Sequence, residues 1–196
     1  MTSALPEDKR RALDDYPTPA WAIDCILPFL PVGGSVLEPA CGAGTVLGRL
    51  ADRRLVPVDS MSGLEINPVR AEEARAAGYQ VACVDALDPE TIWPRADLIL
   101  SNPPFRQAEA FCRKALASVA QGGCVAMLLR LAFLESAARF DFHAQHPVTS
   151  LHVFSSRPSF TGDGKSDSAA YAWFVWNGTA RGIHIIPPNE PKRGTK

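Results

Sequence analysis

The sequence predicts an α/β fold built on a doubly wound, mostly parallel sheet. Three observations carry that prediction. Short apolar runs of strand length (residues 35–38, 79–84, 96–100 and 124–131) alternate with longer amphipathic segments, the pattern of βαβ units. A cluster of small residues, Glu38-Pro39-Ala40-Cys41-Gly42-Ala43-Gly44-Thr45, joins the first run to a helical segment. Ser101-Asn102-Pro103-Pro104-Phe105 follows the run at 96–100, and two prolines forbid any continuation of a ladder there.

Length and composition fit one such domain. A chain of 196 residues with 46% hydrophobic side chains can bury a full core. No apolar run approaches the length of a membrane-spanning helix, and residues 1–11 are polar rather than a secretory leader. Cys25, Cys41, Cys83, Cys112 and Cys124 stand singly, without zinc spacing, and read as the reduced, packed thiols of a cytoplasmic protein. The net charge of −1 argues against phosphate binding over the whole surface but allows a local basic face.

Residues 1–15 are charged and read as a flexible leader to a domain spanning 16–180. Trp21, Ile23, Cys25, Ile26, Phe29 and Leu30 keep helical spacing, with Thr18 as N-cap, Pro19 at the first helical position, and Pro28 and Pro31 as terminators. Gly33-Gly34 then turns into the first strand. In the glycine cluster, small residues let a ligand approach the backbone, and the helix from Thr45 aims its N-terminus at that ligand. Gly42, Gly44 and Gly48 depart from G-x-G-x-x-G spacing, and Glu38 would repel a pyrophosphate but attract a cationic ligand.

Gly63-Leu64-Glu65-Ile66 ends a second strand about twenty residues after the glycines, where a doubly wound fold presents an acid to ribose hydroxyls. Glu65 is therefore the expected ribose acceptor. A helix opens at Asn67 as N-cap and stops at Gly78, and the third strand delivers Asp85-Ala86 just past its end. Asp85 can accept from an adenine amino group. The Asn102 side-chain oxygen and the Pro103 carbonyl can accept from one exocyclic NH2, and Phe105 offers a ring on which a base can stack.

Beyond the turn, residues 108–120 and 135–144 read as helices, with 124–131 as the fifth strand between them. His143 and His146 have no third ligand in register, so no metal is expected. Residues 151–154 and 171–176 read as a closing antiparallel pair, which brings the sheet to seven strands. The polar loop 155–170 between them carries Arg157, Phe160 and Lys165, and loops of that length are usually functional. Residues 181–196 read as a Pro-rich basic tail.

The order Y-P-T-P, E-P-A-C-G-A-G, G-L-E, D-A-L, N-P-P-F resembles S-adenosylmethionine-dependent amino-methyltransferases, above all small phage-type adenine-N6 DNA methyltransferases. The resemblance covers residues 16–176 and extends to R-P-S-F-T-G-D-G-K and the aromatic run Y-A-W-F-V-W. It implies S-adenosyl-L-methionine as cofactor and DNA, or else RNA, as partner. It puts Thr18, Glu38 and Gly42 near the methionine moiety, Glu65 at the ribose, Asp85 at the adenine amine and Phe111 against the adenine ring, and counts Ala40, Gly44, Ile66 and Ala86 among the cofactor contacts. Asn102, Pro103, Pro104 and Phe105 would form the catalytic turn. Arg157, Phe160 and Lys165 are the expected substrate contacts, since relatives that read long sites have a separate recognition domain and here only the 155–170 loop and the tail are candidates. Two rivals stay open: the same chemistry on an RNA base or a glutamine amide, and a nucleic-acid-binding module without turnover. Neither oligomeric state nor target sequence follows from these residues.

Overall fold

The computed structural model describes residues 17–160 and 169–188. Their centre is a single sheet of eight strands, in the order β3-β2-β1-β4-β5-β7-β6-β8. The strands are β1 (Val36–Pro39), β2 (Met61–Glu65), β3 (Gln80–Cys83), β4 (Leu98–Ser101), β5 (Cys124–Arg130), β6 (Ser150–Phe154), β7 (Tyr171–Trp176) and β8 (Gly182–Ile186). Only β7 runs antiparallel to its neighbours, so the carboxyl ends of the other seven and the start of β7 share one edge. Every connection that follows one of those seven strands leaves from this edge. The carboxyl edge of such a sheet is where doubly wound folds bind ligands.

The five main helices are α1 (Ala20–Asp24), α2 (Thr45–Asp52), α3 (Pro68–Ala76), α4 (Ala108–Ser118) and α5 (Phe140–Gln145). Strand side chains alternate between two cores. Val36, Leu98, Leu100, Ala126, Leu128, Trp173 and Val175 meet Ile23, Leu47, Leu50, Ala71 and Ala74 of α1 to α3. Leu37, Ile99, Val125, Met127, Leu129, Ala172 and Phe174 meet Phe111, Cys112, Ala115 and Phe142 of α4 and α5. Strands buried on both faces read as continuous apolar runs, as β4 and β5 do.

Four expectations are corrected. The sheet has eight strands, because residues 182–186, assigned above to the tail, pair with β6 in parallel from Ser150↔Gly182 to Phe154↔Ile186. The first helix is short: α1 ends at Asp24 and a separate 3-10 turn covers Leu27–Phe29, since Pro28 interrupts the expected run. Thr18 does not cap it, for Pro19 holds the N-cap position and no side chain bonds the helix start. Residues 131–139 form two 3-10 turns, leaving only α5 as helix in that region.

Between β3 and β4, residues 84–97 contain no helix. Trp93 packs into the core there and its indole N–H donates to the Ala86 carbonyl at 2.8 Å. The β2–β3 face beside it stays open as a groove of about 740 Å³ lined by Leu64, Tyr79, Val84 and the exposed Ile92, among others. Among the described residues no helix is long and apolar enough to cross a membrane, and no group of three or more metal-ligating side chains converges.

Candidate active site

Two adjoining constellations occupy the carboxyl edge. The first grows from β1 and β2. Leaving β1, the chain turns through Ala40 (φ 62°), Cys41, Gly42 (φ 54°) and Gly44 (φ 81°), a left-handed run that brings backbone amides to the start of α2. At Gly44 a β-carbon would sit 2.9 Å from the Tyr79 ring, so glycine is required by space as well as by φ. The loop is clipped to β2 twice: the Cys41 amide donates to the Leu64 carbonyl at 2.9 Å, and the Gly42 amide donates to Glu65 Oε2 at 2.8 Å. Glu65 also accepts from the Asn67 amide through Oε1 at 2.8 Å. Its carboxylate is therefore fixed by backbone N–H groups, and each oxygen keeps acceptor capacity for a further donor.

Glu38 lies deeper. It is buried at the end of β1, and its Oε2 has no hydrogen-bond partner. Desolvation pushes its carboxyl well above the ordinary value of 4.5; the Leu47 amide opposes this, and the neighbouring Glu65 charge adds to it. A buried acid with a free oxygen fits a cationic ligand group, whose charge would favour ionisation. Asp85 is exposed and its Oδ1 accepts from the Leu87 amide at 2.8 Å in an Asx turn. Ile66 is 63% exposed beside Glu65, an apolar surface for a planar ring. Ala86 is buried, while Phe111, 4% exposed, faces Trp93 at 6.1 Å within the core. Phe111 thus underlies the acidic half and does not line it.

The second constellation grows from β4. The Ser101 hydroxyl donates to the Pro39 carbonyl, locking the ends of β4 and β1 together. Asn102 follows, half-buried, and its Nδ2 donates to Thr18 Oγ1 at 3.1 Å. Its Oδ1 is buried and has no hydrogen-bond partner. Pro103 is buried, Pro104 is half-buried, and a 3-10 turn (Phe105–Gln107) starts at once. The Phe105 ring packs at 5.3 Å from Tyr171 and 6.3 Å from Phe160, and Phe160 lies 5.0 Å from Tyr171. The Arg130 guanidinium stands 5.1 Å from the Phe105 centroid. Arg157 is exposed, three residues before Phe160. Lys165 lies outside the described residues.

The structure therefore gathers Thr18, Glu38, Ala40, Gly42, Gly44, Glu65, Ile66 and Asp85 with Asn102 to Phe105 along one edge, and Phe160 joins Phe105 there. Sequence reasoning missed Arg130 and Tyr171, which flank Phe105. Their signal was topological: one ends β5 and the other begins β7, and the two are register partners. The open groove beside β3 is not part of this arrangement.

No family model matches the chain, and no curated protein matches it. Solved structures do, at the level of fold. A type I restriction-modification system methyltransferase subunit from Streptococcus thermophilus aligns with a TM-score of 0.66 at 15% identity, over 92% of this chain and 49% of that one. A dimethyladenosine transferase from Plasmodium falciparum aligns with a TM-score of 0.61 at 14% identity, over 81% and 61% of the respective chains. A TehB-like S-adenosylmethionine-dependent methyltransferase from Corynebacterium glutamicum gives 0.53 at 16% identity, over 80% and 85%. The chain spans about half the length of the restriction-modification subunit. Its fold is that of the class I S-adenosylmethionine-dependent methyltransferases.

Proposed function

We propose that the protein transfers a methyl group from S-adenosylmethionine to the N6 amine of an adenine in DNA. The observation that carries this reading is Asn102: an amide at the end of the central strand, tethered through its nitrogen, with a buried oxygen that lacks a donor. A substrate NH2 supplies that donor. Glu38, with its own unpartnered oxygen, fits the ammonium of the cofactor's methionine part, and Glu65 and Asp85 fit the ribose hydroxyls and the adenine amine. When bound, the cofactor would supply an electrophilic sulfonium methyl, with its sulfur keeping the electron pair of the broken bond.

The chain's contribution is positioning and electrostatics. Asn102 Oδ1 and the Pro103 carbonyl accept hydrogen bonds from the two amine N–H groups, which localises the nitrogen lone pair and aims it. The aromatic side chains of Phe105 and Phe160 hold the extruded base by stacking. No base need act first, because the methylated amine sheds one proton to water after transfer. Arg106, Arg130 and Arg157 are exposed on or beside the elements that carry those rings, and such cations favour nucleic acid over a glutamine amide.

Tritiated-methyl transfer to duplex DNA, single-stranded DNA, RNA and protein acceptors tests the proposal, with Asn102→Ala as the blank. Label should enter DNA and be recovered as N6-methyladenine after hydrolysis. Preferential labelling of protein or RNA would overturn the substrate, and no labelling of any acceptor would overturn the activity.

A further inference from the structure

We propose that Thr18 is a positioning residue that tethers the Asn102 side chain at the end of β4. The inference rests on the catalytic reading of Asn102 and adds a residue whose only expected roles were helix capping and contact with the cofactor's methionine part. A hydroxyl can accept from an asparagine NH2 or donate to its oxygen, so such a bond fixes where the side chain sits whichever way the amide is turned. Here the neighbour is a single hydroxyl. Thr18 is 6% exposed, and its Oγ1 accepts from Asn102 Nδ2 at 3.1 Å across 84 residues of chain. With the nitrogen end committed, the oxygen end is left as the buried acceptor without a donor.

Both supports are stiff. Thr18 stands between Pro17 and Pro19, and a following proline confines its backbone to extended conformations. Asn102 precedes Pro103-Pro104 under the same restriction and is anchored by the Ser101 bond to Pro39. The hydroxyl is available because α1 takes no side-chain cap. Threonine's branched β-carbon restricts the rotamer that carries the hydroxyl.

The test compares Thr18→Val, Thr18→Ala and Thr18→Ser, with two readouts. In 15N-labelled protein, the Asn102 side-chain amide is identified by its absence in Asn102→Ala. The proton donated to Thr18 should be shielded from solvent exchange in the wild type and in Thr18→Ser, and exchange rapidly in Thr18→Val and Thr18→Ala. Turnover at saturating cofactor and substrate should fall about tenfold in Thr18→Val, the scale of one lost hydrogen bond, and return in Thr18→Ser. Cofactor affinity by calorimetry should not change. Unaltered exchange of the Asn102 amide in both Val and Ala variants overturns the inference. So does weakened cofactor binding with full saturated turnover, which would assign the hydroxyl to the cofactor. The exchange readout needs no methyl acceptor, so failure of the proposed activity and failure of the Thr18 role are separate results.

Discussion

The two halves of the carboxyl edge are built on different physics. The half over β1 to β3 is acidic and held by backbone: Glu65 accepts two amides, Asp85 accepts one, and glycines provide the curvature. The half over β4, β5 and β7 is held by side chains packed on one another: Thr18 on Asn102, Arg130 and Tyr171 on Phe105, and Phe160 on both rings. Backbone-held carboxylates keep their geometry with or without ligand, which suits a small cationic cofactor. A side-chain cluster can part to admit a planar group. The contrast implies that substitutions in the first half change affinity, and those in the second change turnover.

The sharpest way to break this comparison is Asn102→Ala. It removes the proposed acceptor for a substrate amine, and turnover should drop by about two orders of magnitude, as for loss of one preorganised polar contact. Cofactor affinity should stay within a few-fold by calorimetric titration. Wild-type turnover in this variant would make the N-P-P-F turn merely structural.

Glu65→Ala should do the reverse. Losing an acceptor of ligand hydroxyls in a partly dry site costs roughly 1–3 kcal/mol of cofactor binding. The variant also strands the Gly42 and Asn67 amides, so thermal stability falls with it. Asp85→Ala should cost less, because Asp85 is exposed and water can replace it. Equal, unchanged affinities in both variants would remove the acids from the cofactor site.

Glu38→Gln separates function from stability within one residue. Burial holds the folded-state carboxyl above 4.5, so the folded chain keeps a proton that the unfolded chain gives up as pH rises past that value. The resulting destabilisation is absent below about pH 4 and grows with pH. Glutamine removes it. Without cofactor, Glu38→Gln should melt higher than wild type at pH 8, by about 2–4 °C for each kcal/mol recovered, with little difference at pH 4. Cofactor affinity should fall at the same time. A melting difference independent of pH would refute this account.

The smallest effect is expected from Arg157→Ala. Loss of one phosphate contact should reduce the slope of log affinity for DNA against log salt by about 1 and leave cofactor binding intact. An unchanged slope would remove Arg157 from the DNA path.

Local chemistry made much of this legible in the sequence. Pro103-Pro104 had to end a strand, and the E-P-A-C-G-A-G loop had to lie between a strand and a helix, so both constellations could be located before any coordinates. Partners distant in sequence could not. Thr18 next to Pro19 satisfies every local rule for an N-cap, yet its hydroxyl bonds a residue 84 positions away. Glu65 was legible as a candidate ligand acid, while its service to the Gly42 amide depends on the β1–β2 register. The eighth strand was hidden because Arg181 and Pro187 frame it like a tail, and of its isoleucines only Ile186 is buried. The absent helix at 84–97 leaves no periodic signal to read.

The two rims of the sheet differ in how they resist pairing with another chain. On β3, Arg75 Nε donates to the Val81 carbonyl at 2.8 Å, so a side chain already occupies one acceptor that an incoming strand would need. On β8 the corresponding groups lie beside Ile183 and Ile185, 70% and 64% exposed, a β-branched rim with no such plug among the described residues. Unprotected rims of this composition template aggregation, and Pro187-Pro188 limits this one to a single short strand. Under conditions that loosen the fold, intermolecular strand addition is therefore expected to begin at β8, and a lysine at Ile183 or Ile185 is the change that would suppress it.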